Sequence, residues 1–272
     1  MIYDAMTGER SRKRLMPEVS MTAAMTAATA GAAATEAQSA RERVDQYDWD
    51  VVGSELNSFG CAVLKNILSP GECESIAMLY PHDEHFRSHI RMARHGFGQG
   101  EYKYFRYPLP GVVAGLRSAL YGQAVRIANA WSERMNVATR YPKTHAAYLK
   151  ICHDAGQTRA TPLLLQYAPG DFNCLHQDLY GELAFPLQVT VLLSRPNADF
   201  TGGEFVLTEQ RPRMQSRVEV VPLAQGDAVL FAVHNRPVQG SRGAYRVNLR
   251  HGVSRLRSGR RHTLGIIFHD AK

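Results

Sequence analysis

His176-Gln177-Asp178 is the tripeptide in this chain best suited to holding a metal ion. On a strand, alternate side chains share a face, so residues two apart present an imidazole and a carboxylate to one point. One more histidine from elsewhere completes a two-histidine, one-carboxylate set. That set leaves coordination positions open, the arrangement suited to non-haem Fe(II). By itself the tripeptide is a weak signal, because the chain holds similar clusters. Cys152-His153-Asp154 and His82-Asp83-Glu84-His85 read as solvated loop residues.

The order of further motifs strengthens the signal. Gly202-Gly203-Glu204-Phe205 reads as a tight turn into a strand, and Gly226-Asp227-Ala228-Val229-Leu230-Phe231 as a turn before a buried strand. His251 then opens a run that ends in Gly259-Arg260-Arg261-His262-Thr263-Leu264. With this set the sequence resembles the 2-oxoglutarate- and Fe(II)-dependent oxygenase superfamily, most closely its prolyl 4-hydroxylase-type branch. Tyr167-Ala168-Pro169-Gly170 leading to Leu175-His176-Gln177-Asp178 is also similar to the AlkB-type nucleic-acid dealkylases. The resemblance is close over residues 160–272 and loose over 48–160.

The resemblance implies iron ligation by His176, Asp178 and His251. It implies Fe(II), 2-oxoglutarate as cosubstrate and O2, with ascorbate as an optional reductant. It also implies a basic residue about ten positions past the distal histidine, pairing with the far carboxylate of 2-oxoglutarate, and Arg261 occupies that place. A guanidinium fork suits a carboxylate, since two parallel hydrogen bonds form at once. Thr263, two residues on, faces the same way on a strand. Arg260 competes for the role but points to the opposite face. Tyr167 matches a cosubstrate-contacting tyrosine of the AlkB type. Leu165 stands where those dealkylases carry an asparagine, which weighs against a dealkylase substrate.

Rival readings exist. His234 competes with His251 as distal ligand, with Arg246 and Arg250 then mimicking paired arginines. His251 is preferred for its spacing to Arg261. Cys174 reads as a small buried residue, His269 and Asp270 as structural or exposed, and Tyr102, Tyr104 and Tyr107 as core packing or a substrate mouth. A non-catalytic jelly-roll binding protein and a zinc hydrolase are alternatives to an oxygenase. Neither needs the cosubstrate arginine. The implied activity is hydroxylation of a substrate that the sequence leaves open, with oxidative dealkylation of damaged nucleic acid as the alternative. A protein side chain, a small metabolite and alkylated nucleic acid all remain open as prime substrate, as does the oligomeric state.

The elements that must position these residues are legible as a pattern. From Thr161 onward, short apolar runs alternate with turn residues at 162–168, 174–178, 187–193, 204–208, 217–222, 227–233, 246–252 and 262–269. Eight short strands suit a double-sheet jelly roll, also called a double-stranded β-helix. Upstream, residues 41–58 and 111–135 read as helices. Ser69-Pro70-Gly71-Glu72 is a capping box opening a helix to about Tyr80. Residues 81–109 carry loop signals. The expected fold is mainly β with N-terminal helices: a support region at 41–160 and a jelly-roll core at 161–272, together one domain. Residues 1–40, rich in Ala and Thr, have too few bulky apolar groups for a core and are expected to be a disordered arm. Met16, Met21 and Met25 leave open a later start.

The 272 residues carry a net charge of +7. From Thr201 onward Arg and Lys outnumber Asp and Glu by 12 to 5, so the surplus lies in the C-terminal part. A basic surface favours anionic partners, although a solvated basic face is the commoner meaning. No stretch approaches the roughly 18 apolar residues of a membrane span. The four cysteines form no CxxC pair, as expected of isolated thiols in a cytoplasmic protein.

Overall fold

Short apolar runs separated by turn residues from Leu163 onward form two sheets in the computed structural model, which describes residues 36, 38–179, 181–241 and 243–272. The strands before this region are β1 (Cys61–Leu64), β2 (Phe86–Arg91), β3 (Gly98–Gln99) and β4 (Glu101–Phe105). Next come β5 (Leu163–Tyr167), β6 (Phe172–His176), β7 (Leu187–Leu192), β8 (Phe200–Gly202), β9 (Phe205–Gln210) and β10 (Arg217–Val221). The last are β11 (Ala228–Ala232), β12 (Asn235–Gly240), β13 (Gly243–Val253), β14 (Leu256–Gly259) and β15 (Arg261–Ile266).

The major sheet runs β1-β11-β7-β15-β5-β4-β2 and the minor sheet β10-β9-β13-β6-β3, with β12 beside β13. Within them β5, β7, β11 and β15 lie in one sheet and β6, β9, β10 and β13 in the other. Consecutive strands thus mostly alternate between sheets, as a jelly roll requires. All eight expected strands are present.

Helix α1 (Trp49–Phe59) is followed by α2 (Pro70–Ala77), α3 (Gly111–Arg134) and α4 (His145–Asp154). The capping box at Ser69 and Glu72 forms as expected. The single helix expected over 41–58 is two pieces. Residues 38–45 are helical, and Asp48 then accepts from Asp50 and Val51 N–H to start α1 afresh. Much of the apolar face of α3 (Val113, Leu116, Leu120, Ala124, Trp131) shares one core with Leu164, Val189, Val191, Leu264 and Ile266 of the major sheet. A second core includes Leu163, Tyr167, Leu192 and Tyr102.

Three expectations need correction here. Residues 81–109, expected as loop, contain β2, β3 and β4, because β4 pairs with β5 and carries the major sheet outward. His153 and Asp154 lie on α4, and His153 Nε2 meets Asp270 Oδ2 at 2.7 Å. Asp270 itself is fully buried on Arg117, which donates to it at 2.8 Å. Cys174 is exposed rather than buried. The expected arm at 1–40 falls outside the described residues up to position 35. The described chain from Glu36 to Lys272 is one compact unit.

Two buried histidines should make this fold acid-sensitive. Burial pushes His145 and His269 down to about 4 from the ordinary 6.5. His269 Nδ1 accepts from the Phe185 N–H at 3.2 Å, so it sits neutral. The unfolded chain takes up these protons near pH 6.5 while the folded chain resists until about pH 4. Stability is therefore full above 6.5 and falls as pH drops through that window, by up to roughly 1.4 kcal/mol per pH unit per histidine. Melting temperature measured from pH 7.5 to 4.5 should fall, and His145→Gln should flatten the slope. An unchanged slope in that variant would show that His145 does not contribute.

Candidate metal and cosubstrate site

Strands β6 and β13 pair antiparallel, with His176 directly opposite His251. The two imidazole centroids lie 4.2 Å apart. Strand β6 ends at His176, so Asp178 lies past the strand rather than on it. The turn nevertheless brings it back. Asp178 Oδ1 is 3.4 Å from His176 Nε2, and Asp178 Oδ2 is 3.3 Å from His251 Nε2. Donors that share one ion at about 2 Å each stand roughly 3 Å apart, so this spacing suits a common metal. Among the described residues, these three are the one group of three or more His, Cys, Asp or Glu whose ligand atoms converge, all within 4.8 Å of one another.

The side chains are held for this purpose. His176 Nδ1 donates to the Cys174 carbonyl at 2.7 Å, which leaves its Nε2 lone pair facing Asp178. Second hydrogen bonds of this kind orient metal-binding histidines. Gln177 donates to the Leu249 carbonyl at 2.6 Å and to Asn248 Oδ1 at 3.1 Å, tying the turn to β13. Gly252 permits the close approach of β13 to β6, since a Cβ there would stand 2.7 Å from the Asn173 carbonyl. Burial opposes ionisation of Asp178, but hydrogen bonds and charge from the two histidines hold its carboxyl well below the ordinary range. Burial lowers His251. Burial also opposes charge on His176, yet Asp178 outweighs it and raises the imidazole.

A cavity of about 160 Å³ opens beside the three residues, lined by Leu163, Leu165, Phe205 and Val253 with Gln188, Thr190 and Thr263 among them. Thr263 therefore faces the cavity. Arg261 shares its face on β15 and pairs in register with Tyr167 of β5. It lines an adjoining hollow of about 210 Å³ that shares Phe205 with the first. Its guanidinium lies 5.5 Å from the Tyr167 ring centroid and 5.9 Å from that of Phe200. Arg261 is 1% exposed, and its Nε and Nη1 have no hydrogen-bond partner. Burial lowers it to about 10, with Tyr167 and Glu204 opposing that shift. A buried guanidinium left this way calls for an anion. Gly203 makes room for it, since a Cβ there would stand 3.0 Å from Arg261 Cδ.

A model of an oxygenase family described as catalysing oxidative methylation of damaged DNA matches residues 100–271. The chain belongs to this family. The resemblance read from the motifs is borne out at that level, and this oxygenase is an oxidoreductase. Uncharacterized protein Rv2227 of Mycobacterium tuberculosis is 49% identical over 167 residues, 61% of this chain and 72% of that protein. Among solved structures, a Pseudomonas putida prolyl-4-hydroxylase is similar at 13% identity and TM-score 0.47, covering 82% of this chain and 99% of that one. A Burkholderia pseudomallei oxidoreductase of the 2OG-Fe(II) oxygenase family is similar at 16% identity and TM-score 0.48, covering 83% and 93%.

The rival residues of this oxygenase sit elsewhere. His234 precedes β12, and its Nδ1 lies 3.1 Å from Asn235 Nδ2, outside the converging group. Arg246 donates to the Met135 carbonyl, and Arg250 is exposed on the far face of β13 from His251. Arg260 is exposed, one residue and one face away from Arg261. Of the tyrosines, Tyr102 lines the cavity while Tyr107 donates to Asp270. Asp227, from the second glycine motif, accepts from Asn66 and Ala224 N–H and from Lys65, a structural role at the end of β1. Sequence reasoning passed over Gln177 and Gln188, whose contacts depend on strands distant in the chain.

Proposed function

We propose that this oxygenase is Fe(II)- and 2-oxoglutarate-dependent, with His176, Asp178 and His251 as iron ligands. The convergence of two Nε2 atoms on one buried carboxylate carries this reading. The donor set fits Fe(II), having two imidazoles, one carboxylate and an open side toward the cavity. The unpartnered Arg261 fits the far carboxylate of the cosubstrate, with Thr263 and Tyr167 on the same inner face. Bound Fe(II) and 2-oxoglutarate supply the oxidising chemistry, coupling oxidative decarboxylation of the 2-oxo acid to oxygen insertion into substrate.

The protein's own part is to hold and to exclude. The two histidines and Asp178 grip one side of the ion. Arg261 neutralises and orients the anion at the far end. Leu163, Leu165, Phe205 and Val253 keep water from the reacting centre.

For the prime substrate, the family's description favours damaged nucleic acid over a protein side chain or a metabolite. Oxidative dealkylation would then be hydroxylation of an N-methyl group, whose C–N bond breaks to release formaldehyde and restore the N–H. The absence of an asparagine at Leu165 is a departure from AlkB-type enzymes, so the base would be read by other residues. The four cysteines are unpaired, which suits the cytoplasm, and no helix among the described residues is long and apolar enough to cross a membrane.

Succinate release tests the reading. Purified protein loaded with Fe(II), with ascorbate as accessory reductant, should form succinate only when 2-oxoglutarate is present. Among peptides, amino acids and alkylated oligonucleotides, the oligonucleotides should stimulate it most. Absence of any 2-oxoglutarate consumption across the panel would place a binding role in front.

A further inference from the structure

Gln188 lies on the inner face of β7, 4% exposed, at the wall of the metal cavity, and its Oε1 has no hydrogen-bond partner. A buried amide oxygen without a donor is unfavourable, so an apolar residue would serve a merely structural role better. The strand register says which end of the cavity it serves. On the inner faces, Arg261 pairs with Tyr167, Thr263 with Leu192, and Gly265 with Thr190. Gln188 is one inward step beyond Thr190, and so lies at the opposite end of this row from Arg261. Tyr167 is also next to the connection into β6, whereas His176 is at the far end of β6. Gln188 therefore belongs to the metal end of the barrel, away from the group proposed to hold the cosubstrate's far carboxylate.

The chemistry narrows the ligand. An amide end offers one acceptor and two donors. Ionised 2-oxoglutarate offers acceptors only, so it leaves Oε1 unsatisfied. A partner that presents a donor beside an acceptor satisfies both. The N6 amine and N7 of adenine form such a pair, and glutamine meets it with two hydrogen bonds.

A second feature stands at the same cavity. Phe97 lines it yet is 47% exposed, and its ring stacks on exposed His95 with centroids 5.3 Å apart and 23° between planes. The Cys174 N–H donates to the Phe97 carbonyl at 2.8 Å, fastening this platform to the strand that carries His176. Arg91 and Arg94, both exposed, lie in the same segment. An open aromatic face with cations beside it suits a nucleobase and its phosphate.

We infer that Gln188 and Phe97 form a nucleobase subsite, with Phe97 stacking on an extruded adenine and the Gln188 amide reading its N6/N7 edge. This rests on the oxygenase reading of the neighbouring site and adds to it the residues that choose the substrate.

The test uses the full chain with redox-silent Mn(II) in place of Fe(II). Two measurements are made: the thermal shift on adding 2-oxoglutarate, and the fluorescence anisotropy of a labelled single-stranded oligonucleotide carrying one N1-methylated adenine. Gln188→Leu should keep the 2-oxoglutarate shift, melt no lower than wild type without ligand, and bind the oligonucleotide roughly tenfold or more weakly. Phe97→Leu, at an exposed position where folding is not at stake, should also keep the shift and weaken the oligonucleotide. Loss of the 2-oxoglutarate shift in Gln188→Leu would assign the amide to the cosubstrate and overturn the inference. Unchanged oligonucleotide affinity in both variants would also overturn it, as would wild-type protein that binds an unstructured amide-rich peptide but no oligonucleotide. Wild type that shows no 2-oxoglutarate shift at all would instead sink the oxygenase reading beneath it.

Discussion

Asp178→Ala should abolish Fe(II) binding and turnover while leaving the chain folded. The carboxylate is the member of the site that both imidazoles face, at 3.3 and 3.4 Å. Without it, two neutral nitrogens remain and no anionic donor balances the ion's charge. The fold should survive the change, because β6 and β13 are held by their ladder and by Gln177 on Leu249. His251→Ala should be equally inactive, since that position supplies one of the two converging nitrogens. His234→Ala should retain iron. The check is metal content after dialysis, with circular dichroism to confirm folding. Stoichiometric iron in Asp178→Ala would refute the ligand assignment, and loss of iron in His234→Ala would move the distal ligand there.

The second large effect belongs to Arg261. Truncation to alanine should leave iron in place and raise the KM for 2-oxoglutarate sharply. Removing one partner of a buried charged pair costs on the order of 2–5 kcal/mol, which is roughly 30-fold or more in affinity. Arg261→Lys should fall between, since it keeps charge and loses the fork. A second readout needs no turnover. The guanidinium is buried with Nε and Nη1 unpartnered, so Arg261→Met, measured without added 2-oxoglutarate, should melt at or above the wild-type temperature and gain nothing when it is added. A raised KM in Arg260→Ala with an unchanged one in Arg261→Ala would reverse the assignment, against the exposure of Arg260.

Much of the site was legible because its signals are local or strictly ordered. Histidine and aspartate two residues apart are a local pattern, and His251 and Arg261 ten residues apart match the order of motifs that the family resemblance implies. The jelly roll was legible because short apolar runs separated by turn residues mark its strands whatever their partners. The capping box before α2 needed four residues. Strands β2, β3 and β4 were not legible. Their mixed composition becomes strand only through pairing, β4 with β5, β2 with β4 and β3 with β6, and distant pairing partners leave no periodic trace.

What the sequence determined by itself was the class of fold, together with a set of candidate groups for it to gather. Tertiary structure alone decided the rest. It put His251 rather than His234 opposite His176, because register between β6 and β13 is set by the whole ladder. It turned Asp178 back from beyond the strand end, through the clamp of Gln177 on β13. It buried Arg261 and exposed Arg260, since a one-residue step on β15 exchanges the inside of the barrel for the outside. It also buried Gln188 at the cavity wall with its Oε1 unpartnered, a fact of packing that no spacing of residue types contains.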